Sequence, residues 1–351
     1  MKHHNFLENI HTIAVIQTAF IGDIALTIPL LALLKKTFIY SNIVFITTPV
    51  GAELAQSFQE IDTIIVFDKK KKHRSFRSMN NLAKEISLLS LDILFVPHTS
   101  LRTNLLCGLI RYYSSQSIVS VGYKENALSW LLTKTIKKMT VGHEIEKLCS
   151  LFTILSGEKY AVNIFHSWNY RLNQSVVRIG DDIQQIVQHS VVLAPASVWK
   201  TKEWGKEKWI ELARYLRNKG KNVVLIGSQA DQELCESIAG LSGAVSLAGK
   251  TTLSQTLSVL QMAEVLISND SAPAHLAYLA HCKVIMIYGP TVPEFGFFPP
   301  DPRSIIVQNS RLQCRPCHHH GKHICPLGTH ECMKSIDVRE IGHLIITKEG
   351  S

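Results

Sequence analysis

Acidic residues are in short supply in this chain. Its 351 residues hold 28 Asp and Glu against 37 Lys and Arg, a formal net charge of +9. Such an imbalance suits an anionic partner: a phosphorylated glycolipid, a membrane surface or a nucleic acid. Nucleic acid is the weakest of the three, because the chain lacks an aromatic–basic RNA motif and any His pair at zinc-finger spacing. Long low-complexity stretches are absent. Met1–Phe6 lacks a signal-peptide layout. Eight cysteines in a long chain without a secretory signal read as reduced and cytosolic, not as a disulfide framework. A clean membrane span is missing too. Thr12–Leu34 is apolar and long enough to cross a bilayer. Asp23 sits at its middle, where an acid costs roughly 2.5–3.5 kcal/mol, and Gly22 and Pro29 interrupt it. The segment reads instead as a buried strand, a tight glycine turn and a buried helix.

What the chain does have is alternation. Its length fits two domains, and an apolar fraction of 46% supplies two cores. β-Branched runs predict strands at Ile13–Gln17, Ile43–Thr47, Thr63–Phe67, Asp92–Val96 and Ser117–Val121. Helices are expected at Ile24–Lys36, Gly51–Gln59, Met79–Leu89, Arg102–Tyr112 and His143–Leu155. After a polar stretch the pattern restarts. Strands are expected at Val191–Ala194, Asn222–Ile226, Ala244–Leu247, Val265–Ser268 and Lys283–Tyr288. Helices alternate with them at Lys206–Lys219, Asp231–Ala239, Thr252–Met262 and Pro273–Ala280, with Gly220 and Gly240 as C-terminal stops. A last helix, Val338–Ile346, is expected to return to the first domain. The fold class is α/β: two Rossmann-like, doubly wound domains with a cleft between the carboxyl ends of their sheets. The first domain spans 1–178, a linker 179–188, the second domain 189–337, and a terminal helix and tail 338–351.

Five loops at strand ends carry residues suited to chemistry. Gly22-Asp23 follows the first strand, and an acid there suits proton abstraction from a hydroxyl; the alternative is a helix N-cap. Ser197–Trp204 holds Lys200 and Lys202, cations able to neutralise a diphosphate, or incidental loop lysines. Gly227–Asp231 offers an acid suited to ribose hydroxyls, or another cap. In Ser268–His275, Pro273 fits a first helical turn whose free N–H groups attract an anion. There Asp270 suits sugar hydroxyls, and His275 is either a ligand or a structural hydrogen-bonder. Tyr288–Thr291 ends the next strand, with Thr291 a phosphate ligand or part of a plain Gly-Pro turn. The charge run Lys69–Arg77 reads as a solvated loop or as a contact with acidic lipid or acceptor phosphates.

Together, IGDIALTIP around Asp23, WKTKEW around Lys202, LAGKTTL at Leu247–Leu253, NDSAPAH at Asn269–His275 and YGPT at Tyr288–Thr291 resemble glycosyltransferase family 9, the ADP-heptose:lipopolysaccharide heptosyltransferases. The resemblance runs from about residue 12 to residue 340, with the motifs in the family's order. It implies a GT-B fold and an inverting transfer that needs no metal or other cofactor for catalysis. An acceptor-binding N-terminal domain and an ADP-sugar-binding C-terminal domain go with it. By analogy Asp23 is the general base, and Lys202 and Ser197 hold the diphosphate. Asp231 binds ribose and Thr251 lines the adenine pocket. Asp270 binds the sugar, with Ser271, Ala272, His275 and Thr291 around the diphosphate. Gly22, Lys70 and Arg74 are acceptor-side candidates. No DxD-like acidic pair appears where a divalent ion would be needed. Ala272 stands where the family usually has Gly, and QTAFIGD lacks the Arg and Ser common before the GD pair.

The segment Cys314, Cys317, Cys325 and Cys332, interleaved with His318, His319, His320 and His323, resembles the tail of heptosyltransferase II members. Thiolates and imidazoles at this spacing read as a structural zinc site or as reduced thiols. The expected enzyme is a type II heptosyltransferase using ADP-L-glycero-D-manno-heptose and a heptosylated Kdo-lipid A acceptor. It is expected in the cytoplasm, peripheral at the inner face of the inner membrane. The alternatives are another nucleotide sugar or acceptor on the same fold, or a non-catalytic nucleotide- or glycan-binding protein.

Overall fold

The structure, a computed structural model, describes residues 10–156 and 170–346; the tail beyond Ile346 lies outside the described residues. The chain divides into two compact units, Met1–Gln174 and Ser175–Ser351.

In the first unit six parallel strands form one sheet: β1 (Thr12–Gln17), β2 (Asn42–Thr47), β3 (Thr63–Val66), β4 (Ile93–Val96), β5 (Val119–Tyr123) and β6 (Lys134–Ile136). Their order is β3-β2-β1-β4-β5-β6, the doubly wound arrangement. Ile13 of β1 lies between Ile43 and Ile93 in register. β1, β2 and β4 are buried almost throughout, as parallel strands covered on both faces must be, and their sequences are accordingly apolar runs. The helix Ile21–Thr37 is apolar on all sides because it is enclosed; Ile24 to Leu34 are all buried. It continues through Pro29, which lacks the N–H for one interior bond. None of the described helices is long and apolar enough to cross a membrane.

The second unit repeats the plan with β7 (Val191–Ala194), β8 (Val223–Leu225), β9 (Val245–Ser246), β10 (Val265–Asn269), β11 (Val284–Tyr288) and β12 (Ile305–Gln308), ordered β12-β11-β10-β7-β8-β9. Its core gathers Trp209, Leu212, Leu225, Ile267, Ile287 and Ile341.

Several sequence expectations shift. The stretch read as a linker, 179–188, contains the helix Asp181–Val187, which packs on the helix Leu253–Met262 of the second unit. Its polar composition hid a narrow apolar edge: Val177, Ile179 and Val187 are buried. The stop expected at Gly240 falls at Gly243, which takes the left-handed conformation (φ 75°), while Gly220 (φ 82°) does end its helix. The short β6 and β12 escaped the reading. Lys134-Thr-Ile is too brief and polar to stand out, and Ile305–Gln308 was not separated from the loop before it. The terminal helix Val338–Ile346 belongs to the second unit, packing along Lys206–Asn218 with Ile341 and Ile345 in that unit's core. Its apolar face completes that core, which groups it with the second unit rather than with the first domain as expected.

Candidate active site

Asp23 is partly buried in the first turn of the helix that follows β1. Phe20, not Asp23, is the N-cap residue. The glycine turn expected at Gly22 is also absent: Gly22 is helical with no positive φ, and the chain turns at residues 18–20 instead. Burial raises the Asp23 carboxyl from 3.8 to about 6. Glu144 adds to the rise, while Lys138 and the backbone at Phe20 and Asp23 oppose it. Glu144 is itself buried, 2.7 Å from Lys138 Nζ and 3.5 Å from Lys147 Nζ. A carboxylate held near neutrality is suited to accept a proton.

A polar cluster that the sequence reading missed lies at the carboxyl ends of β1, β3 and β4. Thr18 Oγ1 is 2.8 Å from Thr103 Oγ1 and 3.1 Å from His98 Nδ1. Lys69 Nζ donates to the Thr18 carbonyl at 2.8 Å and to its hydroxyl at 3.0 Å. Burial lowers the Lys69 ammonium and pushes the His98 imidazole down to about 4, so His98 is neutral. Of the charge run, Lys69 turns inward while Lys70 and Arg74 are exposed. Asp68 decides this by accepting the backbone N–H groups of Lys70 and Lys71 at 3.0 Å, which folds the run into a tight turn. The signal in the sequence was a His just past a strand, in VPHTS.

In the second unit the loops after β7, β10 and β11 bring together residues far apart in sequence. Lys202 Nζ is 2.6 Å from Asp270 Oδ2 and 3.1 Å from the Asp270 carbonyl. Thr291 Oγ1 donates to the same Oδ2 at 2.5 Å. All three side chains are buried. His275, one turn into the helix Ala272–Leu279, is buried beside them and driven down to about 4, mainly by burial, which favours its neutral form. Ser271 is that helix's N-cap and Ala272 its first residue. Asn269 Nδ2 donates to the Pro195 carbonyl at 2.8 Å, tying the β10 loop to the β7 loop. Sequence spacing showed no role for Asn269. Because β7 and β10 are neighbours from which the strand order runs in opposite directions, these loops flank the switch point where α/β sheets bind ligands.

The remaining donor-side candidates keep to their own loops. Ser197 Oγ accepts the Trp199 N–H at 3.2 Å. Asp231 Oδ2 accepts from the Ser228 N–H at 2.8 Å and its hydroxyl at 2.7 Å, closing a capping box. Gly227 is required beside it, since a Cβ there would stand 2.8 Å from Asp231 Cβ. Thr251 Oγ1 lies 3.0 Å from Thr256 Oγ1.

The cysteine segment runs against these loops. Cys314 is exposed and Cys332 buried, with Cys332 in the second core. Cys317, Cys325, Cys332 and His330 line one small cavity together with Thr201 and Pro290. Among the described residues no three His, Cys, Asp or Glu side chains already stand grouped as a metal-ligand set.

A profile of glycosyltransferase family 9 (heptosyltransferase) matches residues 79–327. The chain belongs to glycosyltransferase family 9. Lipopolysaccharide core heptosyltransferase OpsX of Haemophilus influenzae is 22% identical over 289 residues, 81% of this chain and 80% of that protein. A family 9 glycosyltransferase from Veillonella parvula superposes with a TM-score of 0.78 at 20% identity, covering 97% of this chain and 96% of that one. E. coli ADP-heptose LPS heptosyltransferase II superposes with a TM-score of 0.71 at 17% identity, covering 97% of this chain and 100% of that one. The fold of this family 9 chain is thus GT-B, and the chain is a glycosyltransferase.

Proposed function

We propose that this family 9 enzyme transfers L-glycero-D-manno-heptose from its ADP derivative to a phosphorylated, heptosylated Kdo-lipid A, with inversion. The observation that carries the reading is Asp23, a partly buried carboxylate at the carboxyl end of β1, held at about 6. It accepts the proton of the acceptor hydroxyl as the oxygen attacks the anomeric carbon, and the bond to the diphosphate breaks. The ADP that leaves carries the bonding electrons. Its charge is met by the Lys202 ammonium and by the free N–H groups of the helix beginning at Ala272. In this reading Asp270 and Thr291 bind sugar and phosphate oxygens, Ser197 a phosphate, Thr251 the adenine side and Asp231 the ribose. Protein dipoles and one lysine supply the leaving-group charge, and no metal enters the step.

The acceptor's phosphates suit the outward cations of the charge run, Lys70 and Arg74. Exposed Phe20 and Trp130, on loops after β1 and β5, suit a place at the cytoplasmic membrane surface. Turnover of ADP-heptose on heptosyl-Kdo-lipid A, against a panel of ADP-, UDP- and GDP-sugars, tests the donor and acceptor. Preference for another sugar with the same Asp23 dependence would replace the donor and keep the mechanism. ADP binding without turnover on any pair would replace the enzyme reading with a binding one.

A further inference from the structure

The cysteine- and histidine-rich segment 314–333 grips two of the three loops that carry the Lys202–Asp270–Thr291 contact, those after β7 and β11. At one end it holds Thr201, the neighbour of Lys202. The Thr201 N–H donates to the Lys322 carbonyl at 3.0 Å, and its hydroxyl donates there at 2.8 Å. The Lys322 N–H donates to the Thr201 hydroxyl at 2.8 Å. His330 Nε2 donates to the Thr201 carbonyl at 2.7 Å, which fixes its proton on Nε2. Gly321 (φ 92°) presses on the same loop; a Cβ there would come within 2.9 Å of Trp199 Cβ and 3.3 Å of Lys202 Cγ.

At the other end it holds residues 289–291. Arg315 donates through Nε to the Gly289 carbonyl and through Nη2 to the Thr291 carbonyl at 2.8 Å. The Cys317 N–H donates to the Pro290 carbonyl at 2.9 Å. Arg315 also ties back to the Asn309 carbonyl at 2.7 Å, so the clamp is anchored on the end of β12. Both backbone groups of Thr201 and the three successive carbonyls of Gly289, Pro290 and Thr291 are thereby fixed by one segment.

We infer that this segment is a brace for the donor pocket, with Thr201, His330 and Arg315 as positioning residues that act on the nucleotide diphosphate through Lys202 and Thr291. The inference rests on the reading of Lys202 and Asp270 as the donor site. A pre-set ammonium needs no reordering when the diphosphate arrives, and that is where a brace adds affinity. The brace bonds are made to the loops at Thr201 and at residues 289–291, not to the ligand, so losing one loosens the pocket without removing a ligand contact.

ADP titration by calorimetry, with acceptor KM and melting temperature, tests this on His330→Leu, His330→Gln, Thr201→Val and Thr201→Ser, with Lys202→Ala as reference. Loss of the single side-chain bond in His330→Leu, or of the two hydroxyl bonds in Thr201→Val, is expected to weaken ADP about tenfold. His330→Gln and Thr201→Ser, which keep an N–H or hydroxyl, should recover most of that loss. Acceptor KM should not move. If Lys202→Ala weakens ADP while His330→Leu and Thr201→Val bind it as the wild type does, the brace is wrong and the donor site stands. If the melting temperature falls with ADP affinity untouched, the segment is only structural. If Lys202→Ala itself binds ADP normally, the donor site falls, and the brace with it.

Discussion

Lys202 and Asp270, 68 positions apart in the chain, form a buried ion pair at 2.6 Å, with side chains 11% and 8% exposed. Taking two charges out of water is costly, and removing one partner leaves the other stranded, a penalty of about 3–5 kcal/mol for buried pairs. Lys202→Met and Asp270→Ala are each expected to destabilise the second unit by about that much. The double variant should lose less than the two combined, because no buried charge remains. Urea unfolding in a double-mutant cycle measures the coupling. Additive losses would mean that the pair is not coupled in solution. Lys202→Met should also lower turnover roughly 100- to 1,000-fold, the usual effect of losing one group that meets developing negative charge.

Asp23→Asn removes the proposed base while keeping shape. Turnover should fall roughly 100- to 10,000-fold with ADP affinity unchanged. The wild-type rate should fall as pH drops through about 6, where the carboxylate protonates. The stability effect has the opposite direction. The folded value lies above the ordinary 3.8, so between about 4 and 6 the native state binds more protons than the unfolded chain. Stability contributed by the protonated form is thus lost as pH rises through that window. At pH 7.5 Asp23→Asn should be more stable than wild type, by about 1–3 kcal/mol. Thermal melts at pH 4.5 and 7.5 check this: the gap should close at the lower pH.

Glu144 and Lys138 tune that carboxylate in opposite directions, after burial, which is the larger cause. Glu144→Gln removes a like charge and should move the acidic limb of the rate profile to lower pH. Lys138→Met removes an opposing cation and should move it higher. Both shifts are read from kcat/KM profiles with ADP-sugar saturating. Limbs that stay in place would separate Glu144 from the base.

The sheets were readable in advance because enclosed parallel strands are spelled as β-branched runs, and the strand ends then located Asp23, Lys202, Asp270 and Thr291. Which side chains meet was less readable. Lys69, not Lys70, turns inward because Asp68 captures the next two N–H groups, a choice that a run of four lysines does not reveal. Glu144 reaches the neighbourhood of Asp23 only because the helix Glu144–Ser156 packs on Ile21–Thr37. Arg315 and His330 bond to backbone carbonyls, which carry no side-chain signature at all. The cysteine spacing suggested four equivalent ligands, whereas packing makes Cys332 a core residue and leaves Cys314 exposed.

The same inequality sets the last expectation. Among the tail thiols Cys325 alone is lowered from its ordinary value, chiefly by the His330 backbone N–H and then by those of Leu327, Gly328 and Thr329. Burial raises Cys317 and Cys332, and raises Cys107, Cys149, Cys235 and Cys282 further still. Since the thiolate is the nucleophile, Cys325 should be alkylated by iodoacetamide before those six, at neutral pH and without denaturant. Peptide mapping over a time course reads the order. Metal analysis of the same sample tests the structural-zinc alternative, since Cys317, Cys325, Cys332 and His330 line one small cavity. Equal protection of Cys317, Cys325 and Cys332, relieved by a chelator, would instead show that the three close around an ion.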